Sequence, residues 1–182
     1  MTLRVPAELI DAARRGGTAE IASLLEAIWP EAYRLAKAIL QEEAAAQDAA
    51  QDACIVIYRS ITSLRNTGAF ATWFYRIVTR EAFKQKQLLK STEATGSEFA
   101  YQDDRDAIAD LWRALGTLSM HHRSVVVLHY LEGLTSREIA AVLRVPDATV
   151  RFRLMIARRR LRQALQETDS PASTKDEELY AL

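Results

Sequence analysis

The chain has 182 residues, 49% of them apolar, and its 24 basic side chains balance 24 acidic ones to a net charge of zero. That length suits one or two small domains, and the balanced charge leaves the overall field uninformative about nucleic acid. A single cysteine, Cys54, excludes a disulfide framework and fits a reducing compartment. No apolar run is long enough to span a bilayer and the amino-terminal residues lack a signal-peptide core, so a soluble, cytoplasmic protein without membrane insertion is expected.

Taken in order, residues 6–15 predict a first helix ended by Gly16-Gly17. Thr18 is placed to cap a second helix that carries Ile21, Leu24, Leu25 and Ile28 inward. Pro30 predicts a restart, after which Tyr33, Leu35, Ala36, Ile39 and Leu40 continue the apolar face. Residues 41–60 are alanine-rich and helix-favouring, with Ile55, Ile57 and Tyr58 as their later apolar side chains. A polar turn follows around Asn66-Thr67-Gly68, then a helix over 70–89 that is aromatic first and basic later. Residues 90–106 are polar, rich in Ser and Thr and broken by Gly96, which predicts a flexible linker. Two further helices are expected over 107–118 and 123–131. No valine-rich alternating run lies between hairpin turns, so the expected class is all-α: a first helical domain over 1–89, a second over 107–166, and an acidic mobile tail over 167–182.

The most informative stretch is 133–165. Thr135 is placed to cap a short helix, with Glu138 three residues on to close a reciprocal capping box, and Leu134 and Ile139 spaced as a hydrophobic staple. Ile139, Ala140 and Leu143 give that helix a short apolar face. Val145-Pro146-Asp147 breaks and restarts the chain, since proline is tolerated in a first turn and an acid there suits the helix dipole. Val150, Leu154, Ala157, Leu161 and Leu165 then form one apolar stripe at helical spacing. Off the stripe lie Arg151, Arg153, Arg158, Arg159, Arg160 and Arg162. A helix that docks by one face and carries arginines on the rest, behind a capped helix and a tight turn, suits a helix-turn-helix in a DNA groove.

In the first half, Trp73, Phe74 and Tyr75 follow a glycine-containing loop, with Phe70 a turn earlier. Arg76, Arg80 and Lys84 repeat at i, i+4 and i+8 and so share one helix face. Aromatics beside a basic track form a platform for single-stranded nucleic acid, rings stacking on bases while cations follow phosphates. The same aromatics also suit a helical core, and Trp73, Phe74 and Ile77 are expected to divide between the two. On the preceding helix Gln47, Asp48, Gln51 and Asp52 make a small acid-and-amide face, which solvation alone would explain.

These segments, in this order, resemble the extracytoplasmic-function (ECF) group of sigma-70-type sigma factors. The likeness rests on Tyr130-Leu131-Glu132-Gly133-Leu134, Glu138-Ile139-Ala140, Thr149-Val150-Arg151, Arg153-Leu154 and Ala157-Arg158. In the first half it rests on Asp48-Ala49-Ala50-Gln51-Asp52 and on Thr72-Trp73-Phe74-Tyr75-Arg76-Ile77. The resemblance implies a non-enzymatic transcription initiation factor, with no cofactor, that binds core RNA polymerase and promoter DNA both as duplex and as melted single strand, and that is held by an anti-sigma factor. It implies −35 contacts from Thr149, Arg151, Phe152, Arg153, Arg158, Arg159 and Arg162. It implies −10 contacts from Asn66, Thr67, Phe70, Trp73, Tyr75, Arg76, Arg80 and Lys84, with residues 66–71 as the loop that captures a flipped base. Asp48, Gln51 and Asp52 would grip the polymerase.

Several positions depart from the family pattern. Arg80 and Lys84 stand where an asparagine and an acid are common, and both changes add positive charge. Gln47 stands where an acid is usual, and Ser119 where a proline is. Arg144 replaces the usual turn glycine, which requires either a left-handed backbone at a non-glycine residue or an altered turn. Phe152 and Ile156 lie opposite the docking stripe, where contact with thymine methyls and a hydrophobic partner surface are both open readings. His121, His122 and His129 lack metal-site spacing with Cys54, and no metal is expected. Two rival readings remain: a duplex-binding repressor or activator, and a sigma-like decoy that holds a regulator.

Overall fold

The computed structural model describes residues 3–91 and 106–168, and every regular element among them is helical. Eight α-helices follow in order: α1 (Ala7–Arg14), α2 (Thr18–Leu40), α3 (Glu43–Ser60), α4 (Phe70–Ser91), α5 (Asp106–Gly116), α6 (Met120–Val126), α7 (Ser136–Leu143) and α8 (Asp147–Thr168). Short 3-10 turns at Ile61–Ser63 and Thr67–Ala69 lead into α4, and α6 continues as a π-helical turn over Val127–Leu131. The expected linker beyond Ser91 and before Asp106, and the expected tail beyond Thr168, lie outside the described residues.

Helices α1 to α4 form the first domain. Pro6 precedes α1, and its carbonyl accepts from the Leu9 and Ile10 amides at 3.1 and 3.2 Å. Pro30 does not restart α2, as the sequence suggested; the helix runs unbroken for 23 residues. An interior proline costs about 3 kcal/mol, and burial of Leu24, Ile28, Ala32 and Leu35 along the inner face outweighs it. Thr18 is not the cap either: Gly17 holds that position and Thr18 is the first helical residue. The Glu42 carboxylate caps α3 by accepting from the Ala44 and Ala45 amides. Ala45, Ala46, Ala49, Ala50 and Ala53 line the buried side of α3, and such small side chains let neighbouring helices approach closely. Ile57 of α3 and Phe70, Phe74 and Val78 of α4 are all almost fully buried.

The second domain, α5 to α8, has a small core of its own, in which Leu115, Leu118, Val126 and Ala157 pack with Trp112 and Leu161. Its other buried residues, including Val125, Leu128, Leu134, Ile139, Val142, Val150 and Leu154, belong to the same continuous apolar cluster as the first domain's core. The domains are therefore packed on one another, α4 against α7 and α2 against α6. Val142, absent from the expected face of α7, is buried there, while Ala140 and Leu143 are only partly covered.

Candidate nucleic-acid interface

Helices α7 and α8 take the expected helix-turn-helix form. The Thr135 hydroxyl accepts from the Glu138 amide at 3.3 Å, and the Glu138 carboxylate accepts from the Thr135 amide at 2.8 Å, a complete capping box. Hydrogen bonds from the Thr135 side chain and backbone hold the Glu138 carboxyl below its ordinary pKa. Between the helices Arg144 adopts φ 54° and ψ 46°, the left-handed region a glycine would fill without cost. The Pro146 carbonyl accepts from Thr149 and Val150, so the proline sits just ahead of α8.

Val150, Leu154 and Ala157 seat α8 in the core, with Leu161 and Leu165 half-buried at its far end. The opposite face is exposed and carries Arg151, Phe152, Met155, Arg159, Arg160 and Arg162. Phe152 is 59% exposed, so nothing in the fold uses its ring. Arg151 pairs loosely with Asp147 at 3.3 Å, and Arg158 donates to the Tyr130 hydroxyl at 2.7 Å while lying over that ring. Arg159, Arg160 and Arg162 have no ion pair among the described residues. Thr149 is partly buried at the start of the helix and Arg153 partly covered along it.

The first domain's candidate residues divide. Asn66 caps the 3-10 turn, its Oδ1 accepting from the Ala69 amide at 2.8 Å. Arg14 steadies the preceding backbone by donating to the Leu64 and Arg65 carbonyls, each at 2.7 Å. An open pocket of about 270 Å³ lies beside this turn, walled by Leu3, Val5, Ile10, Thr67, Gly68 and Phe70 among others. Phe70 and Phe74 are buried in the core with their rings stacked 6.3 Å apart, and Trp73 is only partly covered. Tyr75 is 1% exposed.

The three candidate cations on α4, Arg76, Arg80 and Lys84, are all partnered. Arg76 donates to the Ala141 carbonyl of α7 at 2.9 Å. Arg80 is held by Glu81 at 2.7 Å, and Lys84 reaches Asp52 at 3.1 Å and Glu81 at 3.4 Å. The Asp52 hydrogen bond is the main reason the Lys84 ammonium titrates above its usual range. Glu81 is 3% exposed, and the sequence reading does not single it out, although its place between Arg80 and Lys84 was the available signal. On α3, Asp48 and Gln51 are exposed on the face away from the alanines, with Ile55 and Tyr58 continuing the exposed side; Asp52 is half-covered by its link to α4. Cys54 is half-buried rather than fully enclosed, and burial pushes its thiol up to about 11.

Polar contacts between described residues join the domains. Tyr75 donates to Glu132 at 2.9 Å, and Arg34 pairs with the other Glu132 oxygen at 2.9 Å. Gln41 donates to the Trp112 carbonyl at 2.9 Å, and Arg76 to Ala141 as above. Arg123 gathers the carboxyl-terminal carbonyls of two helices, donating to Leu115 and Leu118 of its own domain and to Ile39 of α2 at 2.9 Å. Its burial lowers the guanidinium to about 10, and carbonyls at helix ends are suited to receive such a charge.

Fold and surface together define a helix-turn-helix protein with a second, aromatic-and-basic helical module. Its sequence matches the sigma-70 region 2 family over residues 24–87 and the sigma-70 region 4 family over residues 108–161. It is 31% identical to the RNA polymerase sigma-H factor of Pseudomonas aeruginosa over 142 residues, 66% of this chain and 73% of that one. It is 33% identical over 152 residues to the ECF RNA polymerase sigma factor SigE of Mycolicibacterium smegmatis, covering 76% of this chain but 58% of that relative. Among solved structures, the sigma factor RpoE in complex with the anti-sigma factor NepR from Bartonella quintana superposes with a TM-score of 0.67 at 21% identity, over 82% of this chain and 98% of that one. The chain belongs to the sigma-70 family of RNA polymerase sigma factors, in its extracytoplasmic-function group. Among the described residues no helix is long and apolar enough to cross a membrane.

Proposed function

We propose that the chain binds core RNA polymerase and directs initiation at specific promoters, without catalysis of its own, by reading the −35 duplex with α8 and holding the melted −10 strand on the first domain. The observation that carries this is the exposed basic face of α8, seated by Val150, Leu154 and Ala157 behind a complete capping box. In this reading Arg158, Arg159 and Arg162 fix register on phosphates, while Thr149, Arg151, Phe152 and Arg153 supply base or adjacent contacts. The pocket beside Thr67 and Gly68 takes a flipped base. Thr67, Gly68 and Phe70 line it, and in this reading Asn66, Trp73, Arg80 and Lys84 meet the rest of the strand. Tyr75 and Arg76 join that surface only when the second domain moves away from it. Asp48, Gln51 and Asp52 present the polymerase-binding face, and its site of action is the cytoplasm.

An anti-sigma partner is part of the proposal, supported by the RpoE structure, which contains one. The decisive test is run-off transcription with purified core enzyme on a promoter library. Specific transcripts that need the added chain are expected; association with core enzyme that never yields a transcript would sink the reading and favour the decoy. A duplex-binding repressor would bind DNA but leave core enzyme inert.

A further inference from the structure

The outward face of α8 is not uniformly basic. Val150, Leu154 and Ala157 are buried and mark its seated side. Opposite them, by helical spacing, lie Ala148, Phe152, Met155 and Arg159, all exposed. Phe152 is 59% and Met155 56% exposed, so the fold leaves its two largest outward apolar side chains on this helix mostly in water. Three residues apart, they form one strip along the amino-terminal half of α8, with Ile156 half-buried at its edge. The arginines surround this strip. Arg151 and Arg158 lie on one margin, Arg160 on the other, and Arg159 and Arg162 further along. Of residues 147–166, Asp147 is the one acid, and Arg151 pairs with it at 3.3 Å.

The position of the strip decides what it meets. A recognition helix in the major groove turns the outward stripe of its amino-terminal half to the base edges, while its margins face phosphates. Phe152 and Met155 therefore lie over bases and the arginines over the groove walls. Among the groups that base pairs present in the major groove, the apolar one is the C5-methyl of thymine. A cytosine amino group or guanine carbonyl pressed against Phe152 would lose its water and gain no hydrogen bond. A thymine methyl loses nothing polar and buries apolar surface. The strip thus favours one base and penalises the others, which is how specificity arises. A duplex also suits the whole face, since it supplies methyls at the groove floor and phosphates at its walls.

We infer that Phe152 and Met155 are specificity residues for thymine, burying the methyl groups of one or two A·T pairs within the −35 duplex. Ala148, one turn ahead of Phe152, is small enough to let the helix approach those edges. The inference rests on the proposed −35 role of α8 and adds to it the base that this helix selects.

The test uses the full-length chain assembled on core RNA polymerase and a pool of duplex promoters randomised across the upstream element. Bound duplexes are sequenced, and the enriched sequence is remade with deoxyuridine replacing each thymidine in turn, which removes only the methyl group. Wild type is expected to lose about fourfold in affinity at one or two of these positions. Phe152→Ala and Met155→Ala should bind the thymidine duplex more weakly by a similar factor, and each should no longer distinguish deoxyuridine at the position it covers. Both side chains are exposed, so both variants should fold, and thermal unfolding checks this. Deoxyuridine without effect at every position would overturn the inference, as would variants that keep the wild-type methyl dependence. Variants that bind the thymidine duplex as tightly as wild type would overturn it too, and assign the strip to a protein partner. A pool with no enriched upstream sequence would sink the proposed −35 role of α8 itself, and this inference with it.

Discussion

The two basic surfaces of this protein are built alike in sequence and differ in their surroundings. On α4, Arg76, Arg80 and Lys84 are each tied down, to a carbonyl of the other domain, to Glu81, and to Asp52 with Glu81. On α8, Arg159, Arg160 and Arg162 stand exposed with no ion pair among the described residues. Counting cations along a helix therefore misjudges the field it offers. Neutralised cations release fewer counterions on binding a phosphate backbone than free ones do, so under the proposed function α8 is the better prepared of the two surfaces for duplex, and α4 would need rearrangement before it could serve.

The largest effect should come from removing a large side chain of the apolar cluster that runs through both domains. Phe74 is fully buried under α4, and Phe74→Ala is expected to cost about 3–5 kcal/mol. Because the apolar cluster runs through both domains, thermal unfolding should show one shifted transition. Two transitions, with only the first displaced, would mean the surfaces rest on independent bodies. Next in size is Arg151→Ala, which should lose about 1–3 kcal/mol of discrimination at one base pair of the −35 element. Competition among single-base duplex variants measures it; an equal loss against every duplex would make Arg151 a phosphate contact like its neighbours.

Glu81→Gln probes the quenched surface directly. Freeing Arg80 and Lys84 should tighten oligo(dT) binding several-fold and steepen the salt dependence by roughly 0.7 per phosphate newly neutralised. An unchanged slope in a salt titration would show that these cations do not meet the strand. Thr135→Ala removes the cap at the entry to the helix-turn-helix and should cost about 1 kcal/mol by urea unfolding. The smallest effect concerns pH. The folded Glu138 carboxyl titrates below its unfolded value, so its contribution is complete above the ordinary glutamate range and is lost as pH falls through the folded value. The stability gap between wild type and Glu138→Gln should accordingly be present at neutral pH and close in acid.

Much of this was legible in the residues themselves. The capping box at Thr135 and Glu138, the turn at Val145-Pro146-Asp147 and the stripe from Val150 to Leu165 depend on neighbours three or four positions away, and all appear as read. The resemblance likewise found the family. Pro30 misled because a local rule was outweighed by tertiary burial along α2. The aromatic trio after the loop could not be sorted from spacing, since core and site use the same periodicity; the fold buries Phe74 and Tyr75 and leaves Trp73 partly open.

What the sequence alone determined is thus the helical class, the capping box of α7, and the helix face that carries the unpaired arginines, because each follows from interactions within a turn or two. What only the tertiary structure decided is which charges meet. Tyr75 finds Glu132 across 57 positions, and Arg123 finds Ile39 across 84. Pairings at that separation are selected by how whole helices pack, with buried charge tolerated only where a partner arrives from a distant segment.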